Sequence, residues 1–135
     1  MIEPRAILIP ALTTALKTAT GLKVYDSLPI HQVNTSVFPH VNITDIAVTE
    51  DGPKTQFHYV VNVLLEVVHN NINTLQTLYS DMDKVLSIVT NGSPFALSGG
   101  YSIMDCQLNT SNTTKAQIDQ KHLDIGIIRL IFRIK

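Results

Sequence analysis

Apolar side chains alternate with a mixed set of residues along residues 55–68, and this alternation is the clearest pattern in the chain. Every second position is apolar or aromatic: Phe57, Tyr59, Val61, Val63, Leu65 and Val67. The positions between them are only half polar: His58, Val60, Asn62, Leu64, Glu66 and Val68. Strict alternation predicts a strand with one buried face. The half-apolar second face indicates that a helix or another copy of the chain covers it.

Three further segments have strand patterns. Residues 39–48 precede the long strand across the turn "TEDGPK", whose Asp-Gly and Gly-Pro pairs predict an antiparallel hairpin. Residues 101–109 predict a third strand, with Met104, Cys106 and Leu108 facing one way. Residues 121–134 predict the last strand, and its apolar positions change phase, which indicates a β-bulge near Gly126–Ile128. The polar segment 109–120 predicts a protruding hairpin tip.

Two segments have a helical pattern. Residues 3–20 predict a helix that ends at Gly21, with a kink or a new start at Pro10. A second helix is predicted to begin at Asn73, with Gln76 completing a capping box, and to stop at Asn91-Gly92. The segment "VYDSLPIHQ" between the first helix and the first strand predicts a loop.

The element order is therefore helix, two strands, helix, two strands. This order predicts an α+β fold: an antiparallel sheet of about four strands with two main helices packed on one face. The length of 135 residues predicts one domain that spans residues 1–135.

Composition changes this picture in two ways. Charged residues make up only 16% of the chain, which indicates oligomerisation because little surface is devoted to water. The net charge of −1 gives no overall field that would attract nucleic acid or an acidic membrane.

The first residues lack a secretory signal and no apolar run approaches the length of a membrane span, so the sequence predicts an intracellular product.

Candidate chemistry is sparse. The five histidines show no metalloprotease spacing, and the alternating apolar context of Cys106 predicts a buried, inert thiol. Asp81 and Asp83 point to different faces of the second helix and form no carboxylate pair. We therefore predict no catalytic residues, no metal site and no cofactor, and a protein that is not an enzyme.

Short motifs along the chain resemble a known family. The first helix is followed by Val24-Tyr25-Asp26 and then Pro29, and Phe38-Pro39 leads into a strand. Together with the element order and the length, these motifs resemble the tail terminator (tail completion) proteins of long-tailed bacteriophages. The resemblance covers nearly the whole chain.

The resemblance implies a structural virion protein that caps the end of the phage tail tube as a ring. Such a ring, typically a hexamer, stops tube polymerisation and forms the joining surface to the head connector. The implied partners are other copies of the chain, the tail tube protein and the head-to-tail connector or stopper protein. DNA passes through the lumen without specific binding, and no membrane is involved. The implied location is the tail or neck of the virion, after assembly in the host cytoplasm.

The sequence suggests two groups of interface residues. The second face of the long strand, covered by a helix or a neighbouring subunit, contributes Val60, Leu64 and Val68. The loops 50–56 and 109–120, expected to touch the tube or connector, contribute Asp51, Lys54, Asn109 and Lys115.

Two alternatives stay open. The chain could be another neck component, such as a head-completion or connector-stopper protein. It could also be a small α+β binding module with a site between the second helix and the sheet, which predicts convergent polar residues on the side that faces the helix.

Overall fold

The computed structural model describes residues 3–26, 38–51, 58–70, 75–88, 95–118 and 121–135. The elements in chain order are helix α1 (Pro4–Thr20), strands β1 (Lys23–Asp26), β2 (His40–Asp51) and β3 (His58–Asn70), helix α2 (Gln76–Leu86), and strands β4 (Ile103–Ile118) and β5 (Lys121–Ile134). The α+β class is confirmed.

The sheet contains one strand that the sequence did not predict. Its five strands lie in the order β1-β2-β3-β5-β4. Strand β1 pairs with β2 in parallel, through Val24 and Val41, while the other pairs are antiparallel. The prediction of a loop at Val24-Tyr25-Asp26 was wrong because a strand of four residues is too short to show alternation. The sheet is therefore mixed rather than purely antiparallel.

Helix α1 runs without interruption from Pro4 to Thr20, so no new helix starts at Pro10. Pro10 is exposed, and its carbonyl accepts a hydrogen bond from the Thr14 hydroxyl at 3.1 Å. Gly21 ends the helix as predicted, with a left-handed φ of 70° that favours glycine.

Helix α2 begins at Gln76, with Leu75 at the N-cap position and no side-chain cap. The predicted cap, Asn73, and the predicted stop at Asn91-Gly92 lie outside the described residues. Leu78 and Val85 are fully buried on its inner face. Both helices contribute to one core cluster with the odd-numbered side chains of β3, so they cover the same face of the sheet.

Strand β4 extends far beyond its predicted end. It continues from Ile103 to Ile118 and pairs with β5 as far as the register Ile118↔Lys121. Segment 109–120 is therefore mostly strand, and the prediction of a hairpin tip there was wrong. Side chains 107–115 are exposed on both faces, so no hydrophobic alternation could reveal the strand.

The bulge predicted in β5 near Gly126 was also wrong. The register between β3 and β5 is continuous from Tyr59↔Ile134 to Asn70↔Leu123. The irregularities lie in β4, between Ile103 and Asp105 and between Leu108 and Thr110. The apparent change of phase arises because β5 buries apolar residues on both of its faces.

Two clusters explain that double burial. The main core lies under the helices and takes Ile128, Leu130 and Phe132 from β5. A second, smaller cluster lies on the other face at one end of the sheet and takes Leu123 and Ile125. Val68, Leu123 and Ile125 form its buried centre, and Phe38, Ala116 and Ile127 pack around them.

Candidate assembly surface

The sheet face that points away from the helices is partly apolar and partly charged. We call its section on the central three strands the open face. It consists of Asp45, Ala47 and Thr49 on β2, Val60, Asn62 and Leu64 on β3, and Arg129, Ile131 and Arg133 on β5. The aliphatic side chains of Val60, Leu64 and Ile131 are half-buried, whereas the charged and small side chains are exposed. Among the described residues, neither helix covers this face.

The strand register arranges the open face in rows across the sheet. Asp45 is the register partner of Leu64, and Leu64 is the partner of Arg129. A bulge at Thr44 shifts the register of β2 just before this row. Without that shift, Asp45 would point to the helix side, because successive strand residues alternate between faces. The bulge therefore decides which face carries the aspartate.

A shallow depression of about 90 Å³ lies on the open face, beside the rows of Leu64 and Asn62. Asp45, Asn62, Leu64, Asn109 and Arg129 line it together with neighbouring backbone and aliphatic groups. Two residues that the sequence singled out, Leu64 and Asn109, thus come together here, although the sequence assigned them to different surfaces. Asp45 and Arg129 were not predicted as interface residues, because only the three-dimensional register places them in one row.

The other candidate residues are dispersed. Val68 is fully buried in the second cluster, so its own chain covers it and leaves no exposed area for a partner. Asp51 is the last residue of β2, and its side chain lies outside the described atoms. Lys54 lies outside the described residues. Lys115 is exposed near the far end of β4, in register with Asp124.

One acidic group adjoins the open face. Glu66 is half-buried between Leu64 and Val68 on β3, and this burial raises the pKa of its carboxyl above the ordinary value. The row that contains Glu66 separates the open face from the second cluster, because its β5 partner is Ile127, which packs on that cluster.

A buried polar pair joins the sheet to α2 on the opposite side. The His69 Nε2 and Asp81 Oδ2 atoms are 2.7 Å apart, and both side chains are almost fully buried. The Lys84 ammonium lies 3.6 Å from the other carboxylate oxygen of Asp81. Sequence reasoning missed this pair, although Asp81 interrupts the apolar stripe formed by Leu78, Met82 and Val85 and is therefore a polar residue at a core position.

Cys106 shows no sign of a nucleophile. It is buried, and burial, together with the negative charge of Asp105, raises the pKa of its thiol to about 12. Because the thiolate is the reactive form, this thiol is inert near neutral pH. Within the described ranges, histidine, cysteine and acidic side chains form no group of three that could hold a metal ion. The two described helices are not long and apolar enough to span a bilayer.

Comparison with known proteins gives a fold but no family. No protein-family model and no curated protein matches the sequence. Among solved structures, the chain is similar to a chain in the virion of a native gene transfer agent particle. The TM-score is 0.72 at 14% sequence identity, and the match covers 96% of both chains. The arrangement of helices and strands described above is therefore also the fold of a virion component.

Proposed function

We propose that the protein is a structural virion component that forms a ring on the end of a phage tail tube. In this role it stops tube polymerisation and presents the joining surface to the head connector. The observation that carries the proposal is the end-to-end fold similarity to a chain of a gene transfer agent virion. The resemblance of the Val24-Tyr25-Asp26 and Phe38-Pro39 segments to tail terminator proteins supports the same role.

The surface of the chain suits assembly. Subunits in a ring meet through different patches on each side, so each subunit needs at least two contact surfaces. The open face is one candidate, because Val60 and Leu64 leave apolar area exposed beside charged groups. The hairpin of β4 and β5 is a second. At roughly 3.3 Å per residue, a strand as long as β4 spans about 50 Å, and its exposed residues include Asn109 and Lys115.

The partners in this proposal are further copies of the chain, the tail tube protein, and the connector or stopper protein. Asp51, Lys54 and Lys115 are proposed to lie at the tube or connector contact. DNA passes through the lumen, and the net charge of −1 supports passage without tight binding, which would require many phosphate contacts.

A connector-stopper or head-completion role is the nearest alternative, and the shared fold supports it equally. The binding-module alternative predicts polar residues between α2 and the sheet, and His69 and Asp81 do lie there. Their side chains, however, are bonded to each other at 2.7 Å. Because each of the two side chains already has a hydrogen-bond partner in the other, a structural role for the pair is favoured over ligand binding.

The direct test is to add the purified protein to growing tubes of the tail tube protein encoded in the same genome. The proposal predicts that tube growth stops and that electron micrographs show a ring at one end of each tube. Tubes that grow equally long with and without the protein contradict it.

Charge reversal localises the contact. Lys115→Glu is expected to weaken capping, while Lys17→Glu, the same change on exposed α1, is expected to leave capping intact. Equal capping by both variants contradicts a contact at Lys115. Far-UV circular dichroism of both variants checks that the fold is unchanged.

A further inference from the structure

One row of the open face, the row of Leu64, is complementary to itself in charge. Asp45 and Arg129 lie in one row on opposite sides of Leu64, since both are register partners of that residue. Adjacent strands are about 4.8 Å apart, so the Cα atoms of Asp45 and Arg129 are about equally distant from β3. Both charged side chains are exposed. An acidic residue on β2 and a basic residue on β5 thus flank Leu64 on its two sides.

This symmetry selects one way to stack two copies. A half-turn about an axis along β3 places β2 of one copy over β5 of the other and keeps every row at its own level. Asp45 of each copy then faces Arg129 of the other, which gives two identical ion pairs. A half-turn about an axis across the strands places β2 over β2 instead and brings the two Asp45 strands together. This half-turn also places β5 over β5, so the arginines of the two copies face each other, and such like-charge contacts disfavour the second arrangement.

From this charge pattern we infer that the free protein pairs with a second copy of itself, open face to open face, around a twofold axis along β3. Sheets that pack face to face are about 10 Å apart, a gap that an aspartate and an arginine can bridge from opposite sides. On the axis, Leu64 and Val60 meet their own counterparts. The contact closes the depression of about 90 Å³ over the half-buried side chains.

Glu66 marks where the contact ends. It lies on the β3 column just beyond Leu64, and the same rotation places the Glu66 carboxylates of the two copies on the axis. The contact therefore extends from the row of Leu64 toward the row of Val60, away from Glu66 and the second cluster. Sheet twist supports this limit, because twisted sheets diverge away from the centre of their contact.

This dimer goes beyond the proposed ring and does not depend on it. It is a state of the chain before assembly, in which the apolar part of the open face is covered. A ring subunit that uses the open face must first leave the dimer. The two assemblies are therefore tested separately.

Two charge reversals test the dimer. We expect native mass spectrometry to show a dimer for the wild-type protein and monomers for Asp45→Arg and for Arg129→Asp when each is alone. An equimolar mixture of the two variants should form a heterodimer, because both of its cross-contacts pair an arginine with an aspartate. The double variant, which carries both reversals in one chain, should dimerise again. Asp83→Arg, which reverses an exposed charge on α2, is the control that should remain dimeric.

A wild-type protein that stays monomeric at every concentration overturns the inference, and so does a dimer that survives either reversal alone. Two folded variants that remain monomeric when mixed overturn it as well. If circular dichroism shows that a reversal disrupts the fold, Asp45→Asn and Arg129→Gln replace the pair. Each neutral variant should then raise the dimer dissociation constant roughly tenfold, and an unchanged constant overturns the inference. Failure of tube capping leaves all of these outcomes unaffected.

Discussion

The replacement of Asp81 by alanine tests how α2 is fixed to the sheet. The Asp81 carboxylate lies 2.7 Å from the His69 ring and 3.6 Å from the Lys84 ammonium. His69 is only 3% exposed, so alanine at position 81 leaves a buried imidazole without its hydrogen-bond partner.

The cost follows from these contacts. A buried hydrogen bond to a charged group contributes about 1.5–3 kcal/mol. The Lys84 pair spans three residues of the helix and is half exposed on the lysine side, so it adds only about 0.2–0.5 kcal/mol. We expect Asp81→Ala to lower the free energy of unfolding by about 2–4 kcal/mol. With a urea slope of about 2 kcal/mol per molar, the unfolding midpoint should fall by about 1–2 M.

Urea unfolding followed by far-UV circular dichroism measures this change. Asp83→Ala is the matched control, because Asp83 is exposed on the same helix and its loss should change stability by less than about 0.5 kcal/mol. Replacing both His69 and Asp81 by leucine should recover most of the loss, since neither partner is then left unsatisfied. Equal midpoints for Asp81→Ala and Asp83→Ala would refute the reasoning.

Three further predictions concern the sheet. Gly126→Ala should lower the free energy of unfolding in urea by about 1–3 kcal/mol, since a Cβ at this position would lie 2.8 Å from the Met82 Cγ. A variant as stable as the wild-type protein contradicts this close packing. Burial raises the pKa of Glu66, so the folded state disfavours the charged carboxylate and loses stability as pH rises through that pKa. Glu66→Gln should therefore raise the melting temperature at pH 7 but not at pH 3. Equal shifts of the melting temperature at both pH values contradict a raised pKa for Glu66. Val68→Ala should lower the free energy of unfolding by about 1–3 kcal/mol because Val68 is fully buried. Val60→Ala on the half-buried open face should lower it by less. The reverse order in urea unfolding would argue against the second cluster.

Much of the fold could be predicted where one face of an element is apolar and the other is not. The alternation in β3 identified both the strand and its half-apolar second face. The far half of β4 escaped because side chains such as Thr113 are exposed although the backbone pairs with β5. Strand β5 was interpreted as bulged because Ile125 and Ile128 are buried on opposite faces, which a single hydrophobic period cannot represent.

The candidate site was predicted less completely, for a physical reason. Val60 and Leu64 could be assigned to the second face because they share one strand and its period. The row that joins Asp45 to Arg129 depends on the pairing of three strands and on the bulge at Thr44. A shift of one residue in that register moves every side chain of a strand to the other face. Local sequence patterns do not contain this information.

Ring formation at a tube end is the central claim, and one measurement addresses it most directly. Native mass spectrometry across a concentration series, with electron microscopy of the large species, should be made on the protein alone and with tail tubes. The account predicts the open-face dimer for the protein alone and, with tail tubes, a closed ring, expected to be a hexamer, that is about as wide as the tube and located at its end. Protein that binds along the sides of the tubes, or does not bind them at all, contradicts the account.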